Sequence, residues 1–434
     1  MRRYTIWGWV AGIPHERLIS YHRIHAWALY AVFFAHMVCM SVAIRTRVDG
    51  FPIVRQVDSK MSIFMVNPQL GIAGFILWSW LMFTSFDYFR RKAWGMWNLN
   101  HFTFFPAVLL TLFHNRCVCF VCRQCARSPS DAKRSPVLLP WSAAAAGFFY
   151  VDAGIRGYMK FMRKSEVREA SALPGGVAKL VISTGDNMEY EPGQYVWIAF
   201  ALKDGPEALQ SLSFHPYSIS SAHAPGDKTY TLHIKDMGPG SWSEAVVKAA
   251  AGGAEAFKGG CRVGGPSGRF SIDPTHFERI VLVAGGIGFT PLVSLLADIV
   301  RDAAAGGKDG SSRRYALVKH ITVVWAVQSA PCLTWFTEEL EAARAATGVT
   351  VDLQLFVTRA GKDDAAEGGF TAGRPDVAAS LAGAAAQPGA GPVGVYACGP
   401  AQMLEDTRDA VAAATAAAKE PSKRFLLHTE VFLF

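Results

Sequence analysis

The sequence predicts a multi-domain chain: an α-helical membrane region at residues 1–164, an antiparallel β-barrel at 165–278, and an α/β domain with a Rossmann-like parallel sheet at 279–434. Long uncharged runs are confined to the first part, short β-rich runs with Gly/Pro turns fill the second, and strands alternate with helices in the third. Only 18% of the 434 residues are charged and the mean hydropathy is +0.18. Soluble chains usually carry about 25% charged residues, so part of this chain is expected to lie in lipid, and a disordered or collagen-like chain is excluded.

Four apolar runs are interpreted as transmembrane helices. Ala26–Ile44 and Leu70–Phe86 contain no charge, which is typical of membrane spans. Leu99–Phe113 and Val137–Val151 are shorter and contain polar residues, so each alone would also fit a buried helix of a soluble protein. Because they lie beside two clear spans at similar spacing, we interpret them as spans as well.

The basic residues beside these spans predict the orientation. They cluster before the first span, between the second and third, and after the fourth, which places those segments in the cytoplasm by the positive-inside rule. The basic loop Arg116–Arg134 falls on the outer side and is the exception. Much of the net charge of +8 therefore lies beside the membrane, and we expect a lipid bilayer as partner and no nucleic acid.

Four histidines lie on the first and third predicted spans: His22 and His36, and His101 and His114. Ionisable residues inside a membrane are usually functional, and imidazole is a common axial ligand of haem iron. His22 and His36 are 14 residues apart, and His101 and His114 are 13 residues apart. These spacings correspond to about 21 and 20 Å of helix rise. We therefore predict two b-type haems, one held by His22 and His101 and one by His36 and His114. The alternative is that all four are interfacial or core histidines satisfied by hydrogen bonds.

The helical phase does not suit both pairs equally. Thirteen residues leave an ideal helix about 140° away from its starting face, so His101 and His114 need an irregularity between them. Pro106 lies in that interval and can supply it. His25 has no matching partner and is interpreted as a structural residue.

The barrel is predicted from runs such as Val177–Thr184, Gln194–Phe200 and Tyr230–Ile234. In the last part, the strand-like runs Ile280–Val283, Ile321–Ala326 and Gly394–Cys398 are each followed by a helical pattern, which favours a parallel sheet. The Ala/Gly-rich stretches Ala303–Gly307 and Ala379–Gly391 are interpreted as surface loops.

Two motifs in the barrel region carry a family resemblance. Glu191-Pro-Gly-Gln-Tyr195 is followed by His215-Pro-Tyr-Ser-Ile-Ser-Ser221. Together they resemble the flavin-binding signature of the ferric reductase and NADPH oxidase family, a branch of the ferredoxin-reductase-like flavoproteins. The resemblance implies bound FAD, with Tyr217 packed on the isoalloxazine ring, Ser218 bonded to the flavin and His215 near the diphosphate. The implied flavin-site residues are His215, Pro216, Tyr217, Ser218, Ser220 and Ser221.

The next segment, Gly238-Pro-Gly-Ser-Trp-Ser-Glu-Ala245, predicts a helix that runs to Ala250 and is capped by Ser241 or Ser243. Its free N–H groups suit a pyrophosphate, although an ordinary capped helix explains the same residues. Farther along, Gly265-Pro-Ser-Gly268 resembles the family turn that closes the flavin domain, so Gly265 and Gly268 join the candidate cofactor residues.

A glycine cluster, Ala284-Gly-Gly-Ile-Gly-Phe-Thr-Pro291, follows one predicted strand and opens a helix. Glycines allow close backbone approach to a phosphate, Thr290 is expected to cap the helix, and Pro291 fits its first position. The cluster resembles the pyridine-nucleotide motif of the family. The implied NADPH or NADH residues here are Gly285, Gly286, Gly288, Thr290 and Pro291.

Tyr396-Ala-Cys-Gly-Pro400 resembles the second nucleotide motif of the family, which places Cys398 beside the nicotinamide and adds Gly399 and Pro400 to the cofactor residues. The tail His428-Thr-Glu-Val-Phe-Leu-Phe434 resembles the acidic, aromatic C terminus of the family. The resemblance implies that Phe432 or Phe434 covers the flavin until the nicotinamide displaces it, and Cys398 and Phe432 are the candidate catalytic residues.

The chain departs from the family pattern in three places. Relatives commonly have six membrane helices, so two helices are expected to be missing before the first haem-binding one. The position after Ile321–Ala326 often carries an arginine for the 2′-phosphate of NADPH but here reads Val327-Gln-Ser329, so Arg359 is the candidate and NADH stays open. The outer loop also contains four cysteines that can form disulfides, bind a metal near the outer haem or carry lipid: Cys117, Cys119, Cys122 and Cys125.

The resemblance implies a multi-pass membrane oxidoreductase, most simply in the plasma membrane, with its nucleotide domains in the cytoplasm. Electrons would pass from NADPH or NADH through FAD and two b-type haems to an outer acceptor. Ferric or cupric chelates are favoured because the outer loop Arg45–Asn67 is short and basic, and the alternative is dioxygen reduced to superoxide. A truncated, non-catalytic subunit that binds haem or a partner is the other class, and the sequence does not specify regulatory or oligomeric partners.

Overall fold

The structure is a computed structural model that describes residues 15–46, 68–92, 94–114, 147, 151, 154–155, 158, 164–184, 188–202, 214–257, 260–306, 313–361, 368–418 and 424–430. The chain divides into two compact units, one at Ile6–Gly154 and the other mainly at Ile155–Leu433.

The first unit is helical. Its described elements are α1 (His15–Thr46), α2 (Pro68–Thr84), α3 (Asp87–Lys92), α4 (Trp94–His101) and α5 (Phe104–His114). Within the described residues, the Tyr21–Val42 part of α1 is the one helix long and apolar enough to cross a membrane, with a mean hydropathy of 1.5. Apolar side chains of α1 such as Val32 and Phe34 are exposed, as lipid-solvated side chains would be. Most of the fourth predicted span lies outside the described residues.

Hydrogen bonds between side chains join the helices of this unit. Tyr30 on α1 lies 3.0 Å from Ser79 on α2, hydroxyl to hydroxyl. Asn100 on α4 accepts from Trp80 Nε1 at 2.7 Å and donates to Thr84 Oγ1 at 2.6 Å. Such bonds help to hold helices together where hydrophobic burial supplies no driving force, as in a bilayer.

The third predicted span is broken. α4 ends at His101, residues 102–103 form a turn, and α5 begins at Phe104. Pro106 is the third residue of α5 and has no N–H to donate to the carbonyl of Phe102, so a continuous helix would lose that bond. A break between His101 and His114 is the irregularity that the spacing of the two histidines requires.

The antiparallel barrel is confirmed in the second unit. Its strands are β1 (Lys164–Leu173), β2 (Val177–Thr184), β3 (Tyr195–Phe200), β4 (His215–Ser218), β5 (Thr229–Lys235) and β6 (Cys261–Ser267). They pair in the order β4-β3-β6-β1-β2-β5, and a bridge between Ile219 and Leu232 closes the sheet from β4 to β5. The helix α6 (Trp242–Ala250) contributes Val246 and Ala250 to the barrel core.

The parallel sheet is also confirmed. Its strands are β7 (Arg279–Gly285), β8 (His320–Val327), β9 (Thr350–Val357), β10 (Thr371–Ala372), β11 (Val393–Cys398) and β12 (Phe425–Glu430), and they pair in the order β10-β9-β8-β7-β11-β12. The described helices are α7 (Thr290–Ala304), α8 (Thr337–Arg344), α9 (Val377–Ala386) and α10 (Ala401–Ala417). Every residue of β7 is buried, as expected for a strand covered on both faces. The strand order reverses between β7 and β11, and ligands of such sheets bind at that point.

One loop assignment is wrong. Most of Ala379–Gly391 belongs to α9, whose N-cap Asp376 accepts a hydrogen bond from the N–H of Ala379 at 3.0 Å. Val377, Leu381 and Ala384 are buried on one face of this helix. Their spacing of four and three residues is helical, and the many alanines between them favour a helix rather than a loop. Ala303 and Ala304 likewise end α7 rather than begin a loop.

Candidate functional site

The carboxyl ends of three neighbouring strands meet at the point where the strand order reverses. Cys398, the last residue of β11, lies opposite Ala284 of β7 on one side and Glu430 of β12 on the other. The predicted glycine cluster follows β7 directly and leads through a 3-10 turn, Gly286–Phe289, into α7. The two predicted nucleotide motifs are therefore brought together.

The two motifs touch through their backbones. A Cβ atom on Gly288 would lie 2.6 Å from the carbonyl oxygen of Cys398, and one on Gly399 would lie 2.9 Å from the amide nitrogen of Gly285. Neither position has room for a side chain. Trp325 on β8 fixes the same loop, because its Nε1 donates to the carbonyl of Gly286 at 3.0 Å. Trp325 was not predicted as a site residue.

Thr290 does not cap the helix as predicted. The N-cap position is Phe289, and Thr290 is the first residue of α7, where its hydroxyl donates back to the carbonyl of Ile287 at 3.1 Å. Pro291 lies in the first turn, as expected, since a helix needs no N–H donor there. The N–H of Thr290 is bonded to the carbonyl of Ile287, so the phosphate-binding role of this helix start stays a prediction.

Cys398 is buried, and burial raises the pKa of its thiol, with a further contribution from the neighbouring carboxylate of Glu430. The thiol is therefore neutral and is a packing surface rather than a nucleophile. Glu430 was missed among the candidate residues. The tail motif contained it, but only the parallel pairing of β11 with β12 brings it beside Cys398.

The flavin motif lies on β4, which pairs with β3 so that Tyr217 lies opposite Val196 and Ser218 opposite Tyr195. Trp242, the first residue of α6, stacks on His215 with ring centroids 4.2 Å apart and on Tyr217 at 5.8 Å. The motif thus forms part of an aromatic stack. Trp242 was not predicted, because its sequence neighbourhood indicated only a helix start.

Burial sets the charge of the two rings in this stack. It lowers the pKa of His215 to about 4 and raises the pKa of the Tyr217 hydroxyl. Both side chains are therefore uncharged near pH 7. His215 can meet a diphosphate only as a neutral hydrogen-bonding group.

The serines of the motif divide into two kinds. Ser218 is buried on β4 beside Tyr217. Ser220 donates to the carbonyl of Thr231 at 3.0 Å, and Ser221 accepts from the N–H of Thr231 at 3.0 Å. The hydroxyls of Ser220 and Ser221 are therefore engaged in joining β4 to β5, in addition to any role toward a cofactor.

Ser241 is the N-cap of α6 and accepts from the N–H of Glu244 at 3.0 Å. Ser243 instead accepts from the N–H of Met237 at 3.0 Å. The N–H groups of Gly238 and Gly240 donate to the carboxylates of Asp236 and Glu244. Two of the donors expected to face a pyrophosphate thus have carboxylate partners, which supports the ordinary capped helix at this position.

The first flavin motif is tied to the predicted closing turn. Gln194 Nε2 donates to the carbonyl of Gly268 at 3.0 Å, and its Oε1 accepts from the N–H of Glu191 at 2.9 Å. Gly265 has a φ of +124°, and a Cβ there would lie 3.2 Å from the carbonyl of Tyr195. Gly265 and Gly268 therefore shape the edge of the barrel next to β3.

Arg359 follows β9 and lines a cavity of about 510 Å³ together with Ser329, Val357 and Phe370. Its backbone N–H donates to the carbonyl of Gln328 at 3.2 Å. Arg359 thus lies against the segment after β8 where the family often carries its arginine. Among the described residues, the lining of this cavity combines a guanidinium, a hydroxyl and an aromatic ring.

Contacts between the barrel and the parallel sheet fix their relative position within this unit. Trp335 Nε1 donates to the carbonyl of Pro174 at 2.7 Å. Arg301 on α7 donates to the carbonyl of His223 at 2.5 Å and also pairs with Asp298. Because α7 starts at the glycine cluster, these bonds connect the nucleotide loop to the barrel.

In the helical unit, His22 on α1 faces His101 at the end of α4, with ring centroids 6.2 Å apart and planes at 67°. The Nδ1 atom of His101 is buried and has no hydrogen-bond partner among the described residues. Two imidazoles that bind one metal from opposite sides, at metal–nitrogen distances of about 2 Å, hold their centroids about 6 Å apart. The observed separation fits that arrangement. His25 Nδ1 lies 2.8 Å from the carbonyl of Tyr21, which agrees with a structural role.

Several predicted residues lie outside the described part. Outside it lie the side chain of His114 and the residues Phe432, Phe434, Cys117, Cys119, Cys122 and Cys125. His36 lies on α1, but its predicted pairing depends on the side chain of His114, so this pair stays a prediction. The basic loop after α1 also lies almost wholly outside.

Three family models match consecutive parts of the chain. A model described as "Ferric reductase like transmembrane component" matches residues 1–112, one described as "FAD-binding domain" matches residues 162–254, and one described as "Ferric reductase NAD binding domain" matches residues 277–371. The FAD-binding and NAD-binding models cover the barrel motif and the glycine cluster, respectively.

Curated relatives match over part of their length. Dual oxidase 2 of Homo sapiens is 30% identical over 203 residues, which are 45% of this chain and 12% of the relative. Ferric reduction oxidase 7, chloroplastic, of Arabidopsis thaliana is 30% identical over 203 residues, 44% of this chain and 25% of the relative. The chain therefore spans a quarter or less of the length of these relatives.

Among solved structures, the flavohem-like FAD/NAD binding domain of nitric oxide dioxygenase from Vibrio cholerae is 20% identical, covering 62% of this chain and 98% of that domain with a TM-score of 0.42. Family membership rests instead on the three matching models and on the sequence relatives. The chain belongs to the ferric reductase and NADPH oxidase family.

Proposed function

We propose that this protein is a multi-pass membrane oxidoreductase that passes electrons from cytoplasmic NADPH through FAD and two b-type haems to ferric or cupric chelates on the other side of the membrane. The observation that carries the proposal is the facing pair His22 and His101 in a chain that also contains the joined nucleotide motifs. The basic segments beside the predicted spans support a cytoplasmic position of the nucleotide domains, and the plasma membrane is the proposed location.

His22 and His101 would hold the inner haem. Their centroid separation of 6.2 Å suits two ligands of one iron, and the buried, unpartnered Nδ1 of His101 marks a polar ring that needs a partner. A haem supplies one-electron chemistry. Trp97, whose ring lies 4.9 Å from that of His101, borders the same position. His36 and His114 would hold the outer haem.

Bound FAD would supply the chemistry that links a two-electron donor to one-electron carriers. Tyr217 and Trp242 offer aromatic faces on which a flat ring system can pack, and neutral His215 adds no charge to the site. The neutral, buried Cys398 would lie against the nicotinamide and exclude water from that side of it. In this proposal, the residues of the chain align the flavin and nicotinamide rings and exclude water from the site.

NADPH is the proposed nucleotide rather than NADH. The cavity after β8 and β9 lies at the carboxyl end of the sheet, where the adenosine end of a dinucleotide would extend from the switch point. Arg359 can pair with a 2′-phosphate, Ser329 can donate to it, and Phe370 can pack on adenine.

Dioxygen is the second candidate acceptor. It is favoured by the match to Dual oxidase 2, whose name describes an oxidase, whereas the match to Ferric reduction oxidase 7 favours iron at the same identity. The basic residues of Arg45–Asn67 incline the proposal to anionic metal chelates.

The test uses the full chain purified in detergent. A reduced-minus-oxidised spectrum is recorded first. NADPH oxidation is then measured with ferric citrate under nitrogen and, separately, with air alone. We expect a b-type haem band and anaerobic iron reduction. Absence of the band contradicts electron transport. Superoxide release that dominates when ferric citrate is present reverses the choice of acceptor, and cofactor binding without turnover would support a non-catalytic subunit.

The matched histidine variants His22→Leu and His25→Leu test the inner haem. His22→Leu is expected to lower the haem-to-FAD ratio from about two to about one, since haem iron here needs both imidazoles. His25→Leu is expected to leave the ratio unchanged, because His25 is bonded within its own helix.

A further inference from the structure

The side chain of His428 on β12 contacts Phe270 and Ser271, which follow β6, and Glu430 on its own strand. Its Nδ1 accepts from the backbone N–H of Ser271 at 3.1 Å and lies 2.8 Å from the Ser271 hydroxyl. Its Nε2 lies 3.0 Å from a carboxylate oxygen of Glu430. Phe270, two residues after the predicted turn, packs edge-on against the imidazole with centroids 5.2 Å apart. His428 is only 7% exposed, so these contacts replace water around the ring.

The bond from Ser271 determines the tautomer of His428. A backbone N–H can only donate, so Nδ1 carries no hydrogen while this bond is present. The single proton of the neutral ring is then on Nε2, and Nε2 donates it to Glu430. His428 therefore directs Nδ1 toward Ser271 and Nε2 toward Glu430.

Glu430 in turn lies opposite Cys398, and its charge contributes to the raised pKa of that thiol. We propose that His428 is a positioning residue that holds the carboxylate of Glu430 in place beside Cys398. The inference rests on the proposed function, in which the nicotinamide lies against Cys398. There, the C4–H bond breaks, the hydride takes two electrons and one proton to the flavin, and the nicotinamide ring is left with a positive charge. A fixed anion nearby stabilises that charge as it develops.

Other charged and titratable groups near this pair must be considered. Cys398 and Tyr396 face it from β11, and burial raises the pKa of both. Asp273 follows the Ser271 segment and acts on Tyr396, and Arg408 on α10 bonds to Thr429 at 3.5 Å. Cys398 and Tyr396 are therefore neutral neighbours, and Glu430 is the carboxylate that His428 contacts directly. A Glu430→Gln variant removes that carboxylate.

The test compares His428→Leu with His428→Gln in the full chain. His428→Leu is expected to slow hydride transfer to FAD about tenfold with little change in the KM for NADPH, because the Glu430 carboxylate loses the donor that fixes it. Gln places an amide N–H near the former Nε2 and is expected to restore the rate to within about threefold of wild type. His276→Leu, at an exposed histidine of the same unit, is the matched control and should leave the rate unchanged.

Infrared spectra without nucleotide supply a readout that does not depend on turnover. The carboxylate stretching band that is missing in Glu430→Gln should change its frequency in His428→Leu, because the carboxylate loses a hydrogen bond, and should return toward the wild-type frequency in His428→Gln. If His428→Leu fails to retain FAD, His428→Asn, which is too short to reach Glu430, replaces it. Equal infrared bands and equal hydride-transfer rates in wild type and His428→Leu would overturn the inference. A wild-type chain that does not oxidise NADPH would refute the proposed function while the infrared band still reports on the contact.

Discussion

Arg359 lines the cavity that follows β8 and β9, and under the proposed function it distinguishes NADPH from NADH. We predict that Arg359→Ala raises the KM for NADPH about ten- to hundredfold, because a hydrogen bond to a charged group contributes about 1.5–3 kcal/mol. The KM for NADH, which has no 2′-phosphate, should change little. Steady-state kinetics with both nucleotides measures this. Arg344→Ala, at an exposed arginine at the end of α8, is the control. Equal losses for both nucleotides would assign Arg359 a structural role instead.

At the scale of single residues, the sequence predicted the position of the glycine loop between β7 and α7, and the phosphate-binding role of its glycines stays a prediction. Trp242 and Glu430 could not be predicted. Each lies near its motif only through packing, one by stacking on His215 and the other by strand pairing with Cys398. No local pattern in the chain contains that information.

At the scale of elements, the glycine cluster needs space as well as flexibility. We predict that Gly288→Ala destabilises the α/β domain by about 1–3 kcal/mol and weakens NADPH binding, because its Cβ would meet the backbone carbonyl of Cys398. Gly383→Ala is the matched control, since it lies in α9 with open space around a Cβ. It should stabilise the chain by about 0.4–1 kcal/mol. Thermal unfolding of the two variants measures both effects, and similar results for both would contradict the proposed contact.

Two histidines of the barrel strands, the half-buried His215 and the buried His233, predict a pH dependence of the stability. Burial lowers the pKa of His215 to about 4 and of His233 to about 3, the latter helped by the charge of Lys179. Their pKa in the unfolded chain is about 6.5. Below that pH the unfolded state takes up protons that the folded state does not, so stability is full above pH 6.5 and falls as the pH decreases toward 4. At pH 5.5 each histidine is expected to cost about 1.4 kcal/mol.

His233→Asn isolates one of the two. Ser220 uses its own proton on the carbonyl of Thr231, so His233 Nδ1 donates to Ser220 at 2.8 Å, and an Asn amide can replace that donor without titrating. Between pH 7.5 and 5.5 the variant should lose about 1.4 kcal/mol less stability than wild type. The release of FAD fluorescence on heating measures the difference. An identical pH dependence would show that His233 is not buried in its neutral form.

The elements themselves were predicted unevenly, for physical reasons. β2 begins and ends where the sequence indicated, because β-branched and apolar residues stop at glycines and polar residues on both sides. α9 was assigned to a loop because its alanines and glycines suggested low complexity, although Asp376 and the spacing of Val377, Leu381 and Ala384 carried a helix signal. In the third predicted span, Pro106 predicted an irregularity of the helix but did not predict that the turn lies at residues 102–103.

At the scale of the molecule, the proposed function requires both the nucleotide motifs and the histidine pair. The barrel and the parallel sheet are tied by the bonds of Trp335 to Pro174 and of Arg301 to His223, so the flavin and nucleotide motifs are held together within one unit. The helical unit carries the histidine pair. Under the proposed function, the reductant site and the haem ligands thus belong to one chain.

Electron flow across a bilayer is therefore the last prediction. In sealed vesicles with NADPH outside and ferric citrate trapped inside, the chain should reduce the trapped iron only when its nucleotide domains face outward. His114→Leu removes a proposed outer ligand and should reduce this transfer at least tenfold, while NADPH still bleaches the flavin at the wild-type rate, because no flavin or nucleotide residue has changed. Absorbance of ferrous iron with a trapped chelator gives the first rate, and flavin absorbance gives the second. Undiminished transfer in His114→Leu would refute the pairing of His36 with His114 and would require the electrons to leave by another route.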